Sequence, residues 1–158
     1  MRTSLPRLLV AAMFFALPVS AAAPISGDDR QYDFFQDLDT EITDRFTKLV
    51  WDRPRVYPPA VTYAAARLRC ASAGKRLPTA KELLTLVDEE PHEEYDGSRL
   101  VVKRIDPAAF RRTPTDVDFW SSSVLPNNRI VTVSFGDGEI HDASEGGAGY
   151  VRCVFSLP

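Results

Sequence analysis

The 158-residue chain has few of the residues that mark a specific chemistry: two cysteines, two histidines and eight glycines. Two cysteines cannot build an all-cysteine zinc centre, and the close ligand spacings of a mixed cysteine–histidine centre are missing. Glycine is too scarce for collagen, and 44% hydrophobic with 26% charged residues excludes disorder or a coiled coil along the whole chain. Positive charge is not in excess: 19 basic residues face 22 acidic ones, a formal net charge of −3. Binding to nucleic acid is therefore not expected. No apolar run approaches the ~20 residues of a membrane span. The length suits one domain of the usual ~100–200 residues.

Catalytic patterns are absent too. Ser121, Ser122 and Ser123 lack the G-x-S-x-G frame of a nucleophile elbow. His92-Glu93-Glu94-Tyr95-Asp96 ends in Asp where H-E-x-x-H needs its second histidine, and neither a P-loop nor G-x-G-x-x-G occurs. No spacing sets His92 or His141 beside a serine. Carboxylate pairs acting as acid and base have no fixed spacing and are the enzymatic option left. The expectation is a non-enzyme with no cofactor and no metal.

Residues 1–22 read as an export signal. Arg2 and Arg7 precede the apolar run Leu8–Leu17, Pro18 breaks it, and Val19-Ser20-Ala21 or Ser20-Ala21-Ala22 offers the small-residue cleavage pattern. An uncleaved anchor is the competing reading. Export leaves 17 basic against 22 acidic residues and a periplasmic or extracellular protein with no membrane span. Residues 23–42 form an acidic lead-in, and 43–158 form the domain.

Within the domain, Phe46–Trp51 is a β-prone run closed by Pro54 and Pro58-Pro59. A helix is expected over about Ala60–Ala73, capped by Gly74. Val61, Ala64, Ala65 and Leu68 line one face; Tyr63, Ala66, Cys70 and Ala73 line another. Periodicity does not choose between them, and a helix apolar on both sides is usually sandwiched. Thr79-Ala80-Lys81-Glu82 fits a capping box, opening a second helix whose Ala80, Leu83, Leu84 and Val87 share a face. Asp88–Asp96, six acids in nine residues, reads as a solvated loop. A cation site or a contact for a basic partner is the sharper alternative. Leu100–Ile105 and Asp118–Ser122 are strand candidates. Ile130–Phe135 alternates as a half-buried strand, turning at Gly136-Asp137-Gly138 into Glu139–His141. Asp142–Gly149 is a loop, and Tyr150–Phe155 a last strand with Val151, Cys153 and Phe155 on one face. The order is that of an α+β domain.

In an exported chain a lone cysteine pair is most often a disulfide, here Cys70 to Cys153. The alternative is two free thiols, one of them nucleophilic. The bridge would close a loop of about 84 residues, stabilising by roughly 4–5 kcal/mol on the chain-entropy model.

Placed in order, the motifs resemble the Lcl C-terminal-like family, a bacterial exported module. They are Leu49-Val50-Trp51; Tyr63, Ala66 and Cys70 on the helix; Arg76-Leu77-Pro78-Thr79 with Glu82-Leu83; Trp120-Ser121-Ser122; Phe135-Gly136-Asp137-Gly138; and Tyr150-Val151-Arg152-Cys153-Val154. They span about Thr43 to Val154. The resemblance implies a C-type-lectin-like fold, with two helices on an antiparallel sheet and a helix tied to the last strand by a disulfide. It also implies that Tyr63, Ala66 and Cys70 face inward. The chain departs from the family at Lys48, where glycine is common, at Tyr63, where tryptophan is commoner, and in the acidity of 88–96. It lacks the Trp-Asn-Asp and Glu-Pro-Asn triplets of calcium-dependent lectins, so calcium-dependent sugar binding does not follow.

Trp51 and Trp120 read as core anchors rather than sugar platforms, and Arg76 and Arg152 as structural hydrogen-bonding or ion-pairing groups. Turn chemistry accounts for Asn127, Asn128, Asp137, Asp142 and Glu145. As C-terminal loop residues, these five are also the candidate ligand contacts. The expected function is a non-catalytic recognition or adhesion module for a glycan or cell-surface protein. The alternative is an envelope assembly component meeting a basic partner through 88–96.

Overall fold

Alternating apolar residues around short turns make this chain mostly antiparallel sheet, and the computed structural model describes residues 31–33 and 40–157 of it. The export signal expected at residues 1–22 lies outside those residues. The first sheet orders β1 (Tyr32–Asp33), β2 (Glu41–Asp44), β3 (Leu49–Asp52) and β9 (Val154–Ser156) as β1-β2-β3-β9. All its pairings are antiparallel, and Trp51 stands opposite Val154. Tyr32 and Ile42, within the acidic lead-in, are buried in the core. The β-prone run of 46–51 pairs only from Leu49, because 45–48 turn between β2 and β3. Lys48 holds φ 60 there, a left-handed conformation that glycine adopts without strain.

Helix α1 covers Tyr63–Ser72, shorter than expected at its start because Val61 bridges to Gly149. Tyr63, Ala66 and Cys70 are its buried residues, while Leu68 is 68% exposed. The helix is therefore not sandwiched: its Ala64–Ala65–Leu68 face is bare. Gly74 ends it at φ 69, as a C-terminal cap requires. Helix α2 is the five-residue segment Ala80–Leu84 and carries the full capping box.

The acidic segment is a correction. Most of it is exposed, as expected, but 92–95 are not loop: β4 (His92–Tyr95) pairs antiparallel with β5 (Leu100–Lys103) in a two-stranded hairpin. Three of the segment's six carboxylates have local partners, and Glu89, Glu90 and Glu93 stay exposed. Glu94 pairs with Lys103 across the strands at 2.6 Å, and buried Asp88 meets His92 at 2.8 Å. Asp96 accepts hydrogen bonds from Ser98 N, Ser98 Oγ and Arg99 N. These bonds hold its carboxyl down at about 2.

The third sheet orders β6 (Phe119–Val124), β7 (Ile130–Val133) and β8 (Ile140–Ala143). Strand β7 is buried on both faces rather than half-buried, and β8 takes Asp142 and Ala143 from the expected loop. The last strand is shorter than its sequence suggests. Only Val154–Ser156 forms a ladder, and Arg152 and Val154 are buried together with Val151 and Cys153. Two clusters fill the interior. One centres on Trp51, Phe110, Phe119 and Phe135; the other centres on Trp120 and the disulfide. Among the described residues the result is an α+β domain of two helices and three antiparallel sheets.

Candidate functional site

Short-range chemistry first fixes what the family-like motifs do. Thr79 Oγ1 accepts from Glu82 N at 3.2 Å, and Glu82 Oε2 accepts from Thr79 N at 2.7 Å. Arg76 then clamps the same carboxylate with two guanidinium nitrogens at 2.8 and 2.7 Å. Chiefly through Arg76, the carboxyl is held below its ordinary range. Trp120 is fully buried and donates Nε1–H to Val61 O at 2.7 Å. A Cβ on Gly149 would lie 2.8 Å from that indole, so only glycine fits against it. Ser121 Oγ donates to Val131 O at 2.6 Å, and Ser122 N to Pro78 O at 2.7 Å. Trp51 is also fully buried. These motifs build the scaffold.

Cys70 and Cys153 form a disulfide, with 5.3 Å between their Cα atoms. It joins the last turn of α1 to the segment entering β9. Lys75 sits just beyond α1 and pairs with Asp52 and Glu41. Arg152, beside the disulfide, is 1% exposed and donates to Asp52 O at 2.8 Å and Thr113 Oγ1 at 2.9 Å. Its guanidinium lies 4.4 Å from the Phe110 ring centroid and 5.4 Å from that of Tyr57. Burial pushes its pKa below the ordinary arginine value.

Four of the five loop candidates, Asn127, Asn128, Asp142 and Glu145, border one end of the third sheet, and Asp137 lies at the other. Asn127 and Asn128 occupy the β6–β7 turn, where Arg129 binds Asp142 through Nε at 2.5 and 2.9 Å and donates to its carbonyl at 2.8 Å. Glu145 follows β8, and its carbonyl accepts from Tyr63 N at 3.2 Å. Asp137 lies in the β7–β8 turn at the other end of β7, about 13 Å away at ~3.3 Å per strand residue. There His141 Nδ1 meets Asp118 Oδ2 at 2.8 Å, its Nε2 stands 3.6 Å from Asp137, and Thr132 Oγ1 donates to Asp118 at 2.8 Å. Among the described residues, no group of three or more His, Cys, Asp or Glu is arranged to hold a metal ion.

Asp118, through that hydrogen bond, raises the His141 pKa above the ordinary imidazole value. The sign follows from linkage. The interaction stabilises the fold fully below about pH 6.5 and is lost as pH rises through the raised value. An NMR titration of wild type should therefore give His141 a pKa above that of a free imidazole. Asp118→Asn should return it toward the ordinary value, and an unshifted wild-type His141 would contradict the pairing.

The hairpin is the surface that sequence reasoning missed. Tyr95 opposes Leu100 and Glu93 opposes Val102, so these four side chains share one face. Tyr95 is 64%, Leu100 65% and Val102 51% exposed. The available signal was the turn-forming Asp96-Gly97-Ser98 segment just before the β-prone run Leu100-Val101-Val102. The hairpin's inner face covers a cavity of about 380 Å³ against residues 112–116. Another hollow, of about 570 Å³, follows the outer side of α1 beside Tyr63, Arg67 and Leu68. Two of its cations, Lys75 and Arg76, are already paired with carboxylates.

The molecule is thus a disulfide-tied α+β domain with a partly apolar hairpin face open to solvent. It belongs to the Lcl C-terminal domain family, whose model matches residues 40–155. No curated protein matches the chain. No helix among the described residues is long and apolar enough to cross a membrane.

Proposed function

We propose that the protein is an exported, non-catalytic recognition module that binds a protein partner through the outer face of the β4–β5 hairpin. The observation carrying this reading is three large apolar side chains, Tyr95, Leu100 and Val102, each more than half exposed on one small sheet face. Glu93 shares that face, and Glu89 and Glu90 precede it, both exposed. A second copy of the chain would set like charges against each other on such a face. The complementary occupant is an extended segment alternating apolar residues with Lys or Arg. Export is supported by the leader-like residues 1–22 and by the disulfide, which suits an oxidising compartment.

A C-type-lectin-like fold is part of the proposal. Its support is the disulfide from α1 to the last strand and the pairing of β3 with β9, which joins the two ends of the domain. Glycan binding through Asn127, Asn128, Asp137, Asp142 and Glu145 is less favoured. Asp142 is already neutralised by Arg129, and Asp137 lies at the opposite end of its sheet.

A synthetic peptide alternating Lys and Leu over eight residues tests the hairpin. It is expected to bind the wild type measurably by calorimetry and to weaken as salt rises. Leu100→Lys/Val102→Lys should weaken binding at least tenfold without unfolding the protein, since both side chains are exposed. Equal binding of a Glu–Leu peptide, or no effect of the double substitution, would overturn the proposal.

A further inference from the structure

The cavity beneath the hairpin is lined by paired charges and by one guanidinium, that of Arg112, that has no carboxylate partner among the described residues. Lys103 is 3% exposed and neutralised by Glu94. Asp96 stays ionised in the turn and is the partner of Arg99, and Asp116, also in the lining, interacts with the Tyr150 phenol. Arg99 is 78% exposed at the side chain and comes only within 3.8 Å of Asp96. Arg112 also lines the cavity, and no carboxylate among the described residues pairs with its guanidinium. Its backbone N–H donates to Glu94 Oε1 at 3.2 Å, anchoring it beside the Lys103–Glu94 pair. It also holds φ 55, a left-handed conformation costly for any residue but glycine. Such conformations persist where the surroundings over-determine them, and they cluster at ligand sites.

We propose that this cavity is a binding site for a small carboxylate, taken by the guanidinium fork of Arg112 with Arg99 at the mouth. A guanidinium offers two parallel N–H donors that match the two oxygens of a carboxylate. Thr115 supplies a hydroxyl, and Val101 and Pro114 supply apolar wall for a short alkyl chain. A dicarboxylate engages both arginines. The site lies on the opposite side of the hairpin from the peptide-binding face and stands independently of it.

The test is an NMR titration of the exported chain with succinate at 150 mM salt, with succinamide and inorganic phosphate as comparators. Succinate is expected to give saturable shifts at Val101, Arg112 and Thr115, and succinamide none. Arg112→Gly removes the guanidinium while relaxing the backbone, so the fold survives, and its spectrum verifies that directly. It should weaken succinate at least tenfold, with Arg112→Lys intermediate. The proposal is overturned if wild type shows no saturable shift, if Arg112→Gly binds within twofold of wild type, or if succinamide or phosphate binds as tightly as succinate.

Discussion

Replacing Cys70 and Cys153 together by alanine should cost about 4–5 kcal/mol of unfolding free energy. The disulfide spans a sequence separation of 83, so the unfolded chain gains a large amount of freedom when it is removed. Both half-cystines are at most 1% exposed and pack with Trp120, Ala66 and Val151. The lost sulfur contacts therefore add a packing penalty to the entropic one. At the size of this domain the melting temperature should fall on the order of 15 °C. Urea unfolding of wild type and the double variant measures the difference. A loss under about 1 kcal/mol would mean that the unfolded chain is already restrained near the bridge.

The second large effect lies one residue away. Arg152→Ala should destabilise by about 3–5 kcal/mol, because it opens a cavity and takes the donor from Asp52 O and from the buried Thr113 Oγ1. Three aromatic rings, Phe110, Tyr57 and Phe119, lose their cation at once. Charge alone is not what the site needs. Arg152→Lys keeps the charge but cannot reach Asp52 O and Thr113 Oγ1 together, and it buries a more strongly hydrated ammonium. Arg152→Met keeps most of the stem and sheds the desolvation cost, so it should be the milder change, at about 1–2 kcal/mol. The same urea series decides the order. Full rescue by lysine would show that the cation, not its planar fork, is the stabilising element.

Local chemistry was legible from the residues. The Thr79–Glu82 capping box and the Gly74 cap depend on neighbours a turn apart, and both sit where their spacing puts them. The Gly136-Asp137-Gly138 turn likewise connects β7 to β8. Partners far away in sequence were not legible. The buried face of α1 is selected by Trp120 and Cys153, roughly 50 and 80 residues downstream, which periodicity within the helix does not register. Resemblance to the family supplied that choice. Residues 88–96 suggested a solvated loop because their charge was counted without partners, yet Glu94 is answered by Lys103 on the opposite strand. Tyr150–Phe155 read as one strand because its residues are apolar and β-prone. Most of its first half is instead held by the Arg152 network and the disulfide. Asp137 lies apart from the other four loop candidates for a related reason: successive turns of a meander lie at opposite ends of its strands.

Chemical-shift mapping of the alternating Lys–Leu peptide on the wild-type protein tests the recognition role most directly. The largest saturable shifts should fall on Glu93, Tyr95, Leu100 and Val102, and disappear in Leu100→Lys/Val102→Lys. Shifts centred instead on Asn127, Asn128 and Glu145, with the hairpin unmoved, would contradict it.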